Sequence, residues 1–245
     1  MDKVLYTAMS GATRMMDSQQ VRANNLANIS TTGFKGDFNN AFALAVEGEG
    51  YDSRVHSEIG EQWTDMSGGT LSQTGRSLDL AIQGEGWFTL MDDQGNEAYS
   101  RAGNFHVDGE GVLRAANGMM VSGDGGPITV PDYQQIVVAD NGGLSVLPDG
   151  ADQDQVMVVD NLKLVNPPSE QISKGDDGLF RAVDGQPVDV DPAVSLVSGY
   201  LEGSNVNAVS EMVSFMTLSR GFEMQLKMMQ SAETIAESGD TLLRD

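Results

Sequence analysis

Two apolar stripes, one at each end of the chain, repeat at alternating intervals of three and four residues. Between them the period falls to two. At the start, Leu5, Met9, Ala12, Met16, Gln19, Ala23 and Leu26 form an a/d seam in which only Gln19 is polar. The spacing predicts a helix from about Val4 to Asn28, roughly 37 Å long. Gly11 weakens it by ~1 kcal/mol relative to alanine, unless the gap admits a second helix. After "GYLEGSNVN", Phe215, Leu218, Phe222, Gln225, Met229, Ala232 and Ala236 repeat the spacing, and Val209, Met212, Val213, Met216 and Leu226 widen that face. This predicts a helix from about Val206 to Ser238, roughly 50 Å long. Ser204, Asn205 and Asn207 are all suitable N-caps.

In the middle, "SLDLAIQ", "WFTLM", "NFHV", "GVLRA", "PITV", "IVVAD", "LSVL" and "QVMVVDNLKLV" follow one another at short intervals. They are divided by "DDQG", "DGEG", "ANG", "GDGG" and "DNGG". Short strands alternating with turn chemistry predict a mostly antiparallel β domain. The expected fold is α+β: terminal helices forming a discontinuous coiled-coil domain, with the β domain between them. The expected boundaries are 1–35 for the first helix and its sequel, 36–75 for an extended connection, 76–197 for the β domain and 198–245 for the closing helix. Residues 36–75 show no sustained period, so they are expected to order only against something else.

A lone narrow stripe on a helix is marginal in water, because its seam has nothing to bury against. The other terminus, the β domain or a second copy of the chain could each supply the missing surface. Charge favours helices that pack inward with the β domain outside. The net charge of −22 falls almost wholly on residues 43–204, which carry −20, whereas residues 1–42 carry +1 and residues 205–245 carry −3. So acidic a middle argues against nucleic acid and anionic lipid as partners. Three asparagines, Asn24, Asn25 and Asn28, crowd the end of the first helix. Ordinarily such residues cap or turn the chain. On a helix in need of partners their amides can also fix register, with Gly33 reversing the chain and Phe34 and Lys35 anchoring on a neighbouring surface.

The motifs "AMSGA" (8–12) and "ANNLANISTTGFK" (23–35) resemble the N-terminal signature of the flagellar rod and hook family of bacterial axial proteins. "GYLEGSNVNAVSEMVSFMTLSRGFEMQLKMMQ" resembles that family's closing signature, and "SLDLAIQGEGWFTL" with "YSRAGNFHVDGEGVLRAANG" resembles its β core. The three lie in the family's order, and residues 36–75 carry little of the likeness. The opening "MDKVLYTAMSGA" and the short length are most similar to a proximal-rod subunit, with a distal-rod subunit as the alternative. The resemblance implies a structural subunit of the periplasmic rod, which passes torque from motor to hook. It implies other rod subunits and the flagellar type III export apparatus as partners, and no cleaved signal peptide. It also implies assembly through Leu5, Met9, Ala12, Met16, Ala23, Asn24, Asn25, Leu26, Asn28, Gly33, Phe34 and Lys35. At the other end the implied residues are Leu201, Glu202, Ser204, Asn205, Val206, Glu211, Arg220, Phe222 and Glu223.

Residue types bound the chemistry. With no cysteine there is no disulfide, thiol nucleophile or Cys-ligated zinc. No apolar run approaches the ~20 residues of a membrane span, and the first residues lack a secretory h-region. The two histidines, His56 and His106, lie in different regions, so no histidine metal spacing exists. There is no GxSxG, and "GEGWF" leads into a strand where a phosphate cradle needs a helix. "DGADQD" (149–154) is acidic enough for calcium but lacks the glycine and terminal glutamate of an EF-hand loop. No catalytic residue, cofactor or metal is expected. The competing reading from another class is a glycan-binding β module using Trp63 and Trp87, although a tryptophan within "WFTLM" suits a core better.

Overall fold

The structure, a computed structural model, describes residues 2–45, 55–148, 150 and 155–242. It is α+β, with a helix near each end and antiparallel strands between. Contacts divide the chain into two units. The first gathers the residues up to Ile29, then Gly36–Asp65, and those from Val206 onward. The second comprises Ser30–Lys35 and Met66–Asn205.

In the first unit, α1 spans Asp2–Ala27 and α2 spans Ala208–Leu242. Asn207 is the cap of α2: its side-chain oxygen accepts from the amides of Val209 and Ser210 at 3.0 and 3.1 Å. These would otherwise be orphan donors of the first turn. Glu211 in that turn suits the positive end of the helix dipole. Residues 36–75, expected as an extended connection, hold paired strands instead. β1 (Asp37–Ala45) runs antiparallel to β2 (Val55–Thr64), with Asp37 opposite Thr64 and Phe38 opposite Trp63. A register shift between Asn39 and Ala41 sets one residue of β1 against two of β2, Gly60 and Glu61, so the period of two is broken along β2.

The second unit is built around a nine-stranded sheet. Its central strand, Trp87–Met91, pairs with Glu97–Ser100 on one side and Met120–Gly123 on the other. Both faces of this strand are buried. Phe88 and Leu90 join a core with Leu80, Phe105, Leu113, Ile128, Leu144 and Leu196. On the opposite face Trp87 joins Tyr99, Val165, Ile172 and Phe180. The turn motifs act through their carboxylates. Asp92 accepts from the amides of Gln94 and Asn96, and Asp108 from those of Glu110 and Val112. Both carboxyls are held below the usual range, Asp92 first by the Asn96 side chain and Asp108 first by Arg114, with these backbone bonds adding to each.

Tyr99 is buried, donates to Glu97 Oε2 and accepts from the Val188 amide, both at 3.1 Å. Burial pushes its phenol up to about 12. An unfolded chain releases this proton near 10, so the folded state holds more protons between those values and stability falls as pH rises through them. In an ultraviolet absorbance titration Tyr99 should ionise near 12 together with unfolding, and Tyr99→Phe should abolish that late step.

Candidate assembly interface

The helices meet along a face of α1 that lies one residue round from its predicted seam. Ala8 and Ala12 are buried, and Gly11, Met15, Gln19, Arg22 and Leu26 are half-buried. A Cβ built on Gly11 would stand 3.3 Å from the Gln225 amide, and one on Gly221 would stand 2.8 Å from Met15 Sδ. Each helix therefore offers a glycine to a bulky side chain of the other, which accounts for a glutamine in the α2 seam. Arg22 Nη1 lies 2.8 Å from Glu211 Oε1. With Gly11 opposite Gln225, Met15 opposite Gly221 and Arg22 opposite Glu211, the pair runs antiparallel.

That rotation leaves Leu5, Met9, Met16 and Ala23 of the predicted seam exposed, with Tyr6 beside them. On α2 the predicted seam, including Phe222 and Gln225, is half-buried throughout. Val209, Met212, Val213, Met216, Met224 and Met228 are exposed, as are Arg220 and Glu223. Near the helix ends, Leu5 faces Leu226, Met229, Ala232 and Ala236 across a groove of about 380 Å³. The helix pair is thus apolar on its outside as well as at its seam.

The asparagines divide their tasks. Asn25 is fully buried, and its amide makes a two-bond bridge to Asp37: Nδ2 donates to the carbonyl at 2.8 Å and Oδ1 accepts from the amide at 3.0 Å. It thereby ties α1 to β1, whereas its expected task was register between helices. Asn24 is exposed, and Asn28 Nδ2 donates to its carbonyl at 3.0 Å as the helix closes. Ser18 accepts from Asn39 Nδ2 at 3.1 Å. The Arg22 guanidinium sits 4.8 Å from the Phe38 ring, which stacks on Trp63 at 5.1 Å.

Gly33, Phe34 and Lys35 belong to the second unit and are anchored within it. Lys35 and Glu202 are each 1% exposed. Lys35 Nζ donates to Glu202 Oε1 and to the Ser67 carbonyl, both at 2.7 Å. The Gly69 amide donates to the same carboxylate oxygen at 2.8 Å, and Arg101 Nη1 reaches the other at 3.0 Å. A buried ammonium needs such a partner, since burying a charge unpaired is prohibitive. Phe34 lies beneath Lys174 Nζ, 4.2 Å from its ring centre. The Gly33 amide donates to the Glu202 carbonyl at 2.8 Å. The Asn205 amide donates to the Phe34 carbonyl at 3.3 Å, and Leu201, Ser204 and Val206 are half-buried nearby in the sequence. The folded unit encloses Phe34, Lys35 and Glu202. Sequence reasoning missed Arg101, whose signal was a lone arginine in "YSRAG".

Among the described residues no cluster of three or more histidine, aspartate or glutamate side chains could hold a metal, and no helix is long and apolar enough to cross a membrane. Most of "DGADQD" lies outside the described residues. Trp87 is buried against Phe180, with ring centres 4.4 Å apart, and offers no face to a sugar.

Three family models match: flagella basal body rod protein over residues 5–35, flagellar hook protein FlgE/F/G D1 domain over 81–146, and flagellar basal body rod FlgEFG protein C-terminal over 197–242. The flagellar basal-body rod protein FlgF of Escherichia coli is 39% identical over 249 residues, covering 99% of both chains. Its namesake in Salmonella typhimurium is 39% identical over 95% of both. The flagellar basal-body rod protein FlgG of Caulobacter vibrioides is 30% identical, over 98% of this chain and 99% of its own. With both helices, the β unit and nearly the whole length matched, the chain belongs to the family of flagellar basal-body rod proteins, which are structural and not enzymatic.

Proposed function

We propose that the chain is a proximal-rod subunit that assembles by stacking the outer faces of its helix pair, as a coiled coil, on neighbouring copies and other rod subunits. The observation that carries this is the outward seam. Met9 and Met16 on α1 and Val209, Val213 and Met216 on α2 remain exposed although each helix already has a partner. Burying the remaining half of one such side chain is worth roughly 1 kcal/mol. Several per copy, repeated along a polymer, supply the drive for assembly. The 39% identity to the FlgF proteins of Escherichia coli and Salmonella typhimurium, against 30–32% to FlgG proteins of three other bacteria, supports the proximal over the distal rod. On this reading the subunit lies in the periplasm, arrives through the flagellar export apparatus without a cleaved signal, and passes torque along the stacked helices.

The test is an outward charge. Met216→Asp removes no internal packing partner and should leave the thermal melt within about 1 kcal/mol of the parent. Incorporation into basal bodies, and swimming, should be lost. A motile strain carrying Met216→Asp together with Met16→Asp would overturn the proposed interface.

A further inference from the structure

We propose that the outward methionines of the helix pair form an oxidation site that switches assembly off. The inference rests on the reading of those faces as the stacking surface. Met9, Met16, Met212, Met216, Met224 and Met228 are each between 48% and 62% exposed. All six lie on α1 or α2, beside the exposed Leu5, Val209 and Val213. A thioether packs as well as leucine in an apolar contact, but it alone among aliphatic side chains is a soft nucleophile toward peroxide. The co-reactant is a hydroperoxide. Its terminal oxygen bonds to sulfur as the O–O bond breaks. The sulfur loses two electrons to give the sulfoxide, and the peroxide is reduced to an alcohol or water. The product is polar and must be desolvated to enter a packed helix contact. In the free subunit these sulfurs stand open to solvent, and in the assembled rod they are covered. Oxidation therefore acts on subunits awaiting assembly and spares those already in place, and a dithiol reductant, which gives two electrons to the sulfur, becomes a disulfide and releases the oxygen as water, reverses it.

Graded hydrogen peroxide on the purified full chain, read by peptide mass spectrometry and sedimentation, tests this. The six helix methionines and Met157, which is exposed on the β unit, should take up oxygen before the half-buried Met15 and Met229. Circular dichroism should stay unchanged while self-association weakens by about a hundredfold or more. Methionine sulfoxide reductase should restore it. A variant with all six helix positions changed (Met9→Leu, Met16→Leu, Met212→Leu, Met216→Leu, Met224→Leu, Met228→Leu) should associate with or without peroxide. Met157→Leu should behave as the parent does. Oxidised chain that associates like untreated chain would overturn the proposal, as would loss of association by the leucine variant on treatment. Untreated chain that fails to associate is a different result: it removes the stacking reading itself, and this proposal with it.

Discussion

Glu202→Gln should cost the β unit about 3–5 kcal/mol, the usual effect of removing one partner from a buried ion pair. The substitution keeps shape and removes charge. Two cations, Lys35 and Arg101, converge on this carboxylate, and all three side chains are almost wholly enclosed. A glutamine oxygen can still accept from Lys35 or the Gly69 amide. Its NH₂ then points a donor at Arg101, and neither positive charge is neutralised. Lys35→Met should cost less, because Glu202 keeps Arg101 and the Gly69 amide. The Arg101 guanidinium sits 5.4 Å from the Trp87 ring. Tryptophan fluorescence in a Trp63→Phe background therefore reports this corner alone. The melt of Glu202→Gln should fall on the order of 10 °C, as expected for a unit of this size, and added salt should change the gap little, because the pair is buried. A melt within about 2 °C of the parent, or a larger loss from Lys35→Met, would show that the carboxylate does not hold the cluster together.

The legible and illegible parts of the structure separate by range. Helix and strand content followed from local period, because a seam at three and four or an alternation at two is written in neighbouring residues. The Asp92 and Asp108 turns could likewise be read from a few positions each. The rotation of α1 could not. Leu5, Met9 and Met16 look like the obvious inner seam, yet the pair meets where Gly11 admits Gln225 and Gly221 admits Met15. Close approach of two backbones outweighed the larger side chains, a choice made by a partner some two hundred residues away. The signature "NNLANISTTGFK" was legible as important but not as divided. Its asparagines finish α1 and tie it to β1, whereas Gly33, Phe34 and Lys35 fold with the β unit, because Lys35 requires a carboxylate that enters only at Glu202. Within 36–75 the period of β2 is illegible because a bulge interrupts its alternation. Trp87 was legible as core, since an aromatic inside a continuous apolar strand has few other places to go.

The same long-range closure makes Gly33→Ala the second severe change. Gly33 adopts φ +67°, and a Cβ there would stand 2.3 Å from the Ala102 nitrogen and from the Arg101 carbonyl carbon. Those are backbone atoms of the segment that positions the Arg101 guanidinium, so they cannot yield without moving it off Glu202. Left-handed strain alone accounts for about 1 kcal/mol, and overpacking adds about 1–3 more. Gly75→Ala separates the two: its φ is +78° with nothing within 4 Å of the new atom, so it should show the strain without the clash. The Gly33 amide also donates to the Glu202 carbonyl. Gly33→Ala and Glu202→Gln therefore release one loop, residues 30–35, by different routes. Once it is loose, the second substitution has less left to break. Their combined cost should fall short of the sum by about 1 kcal/mol or more, and hydrogen exchange should rise at residues 30–35 in either single variant. Costs that add to within about 0.5 kcal/mol would mean that the turn at Gly33 and the charge cluster are held independently. The loop would then be fixed by its backbone bonds, and the buried ions would be maintaining something other than the end of the signature.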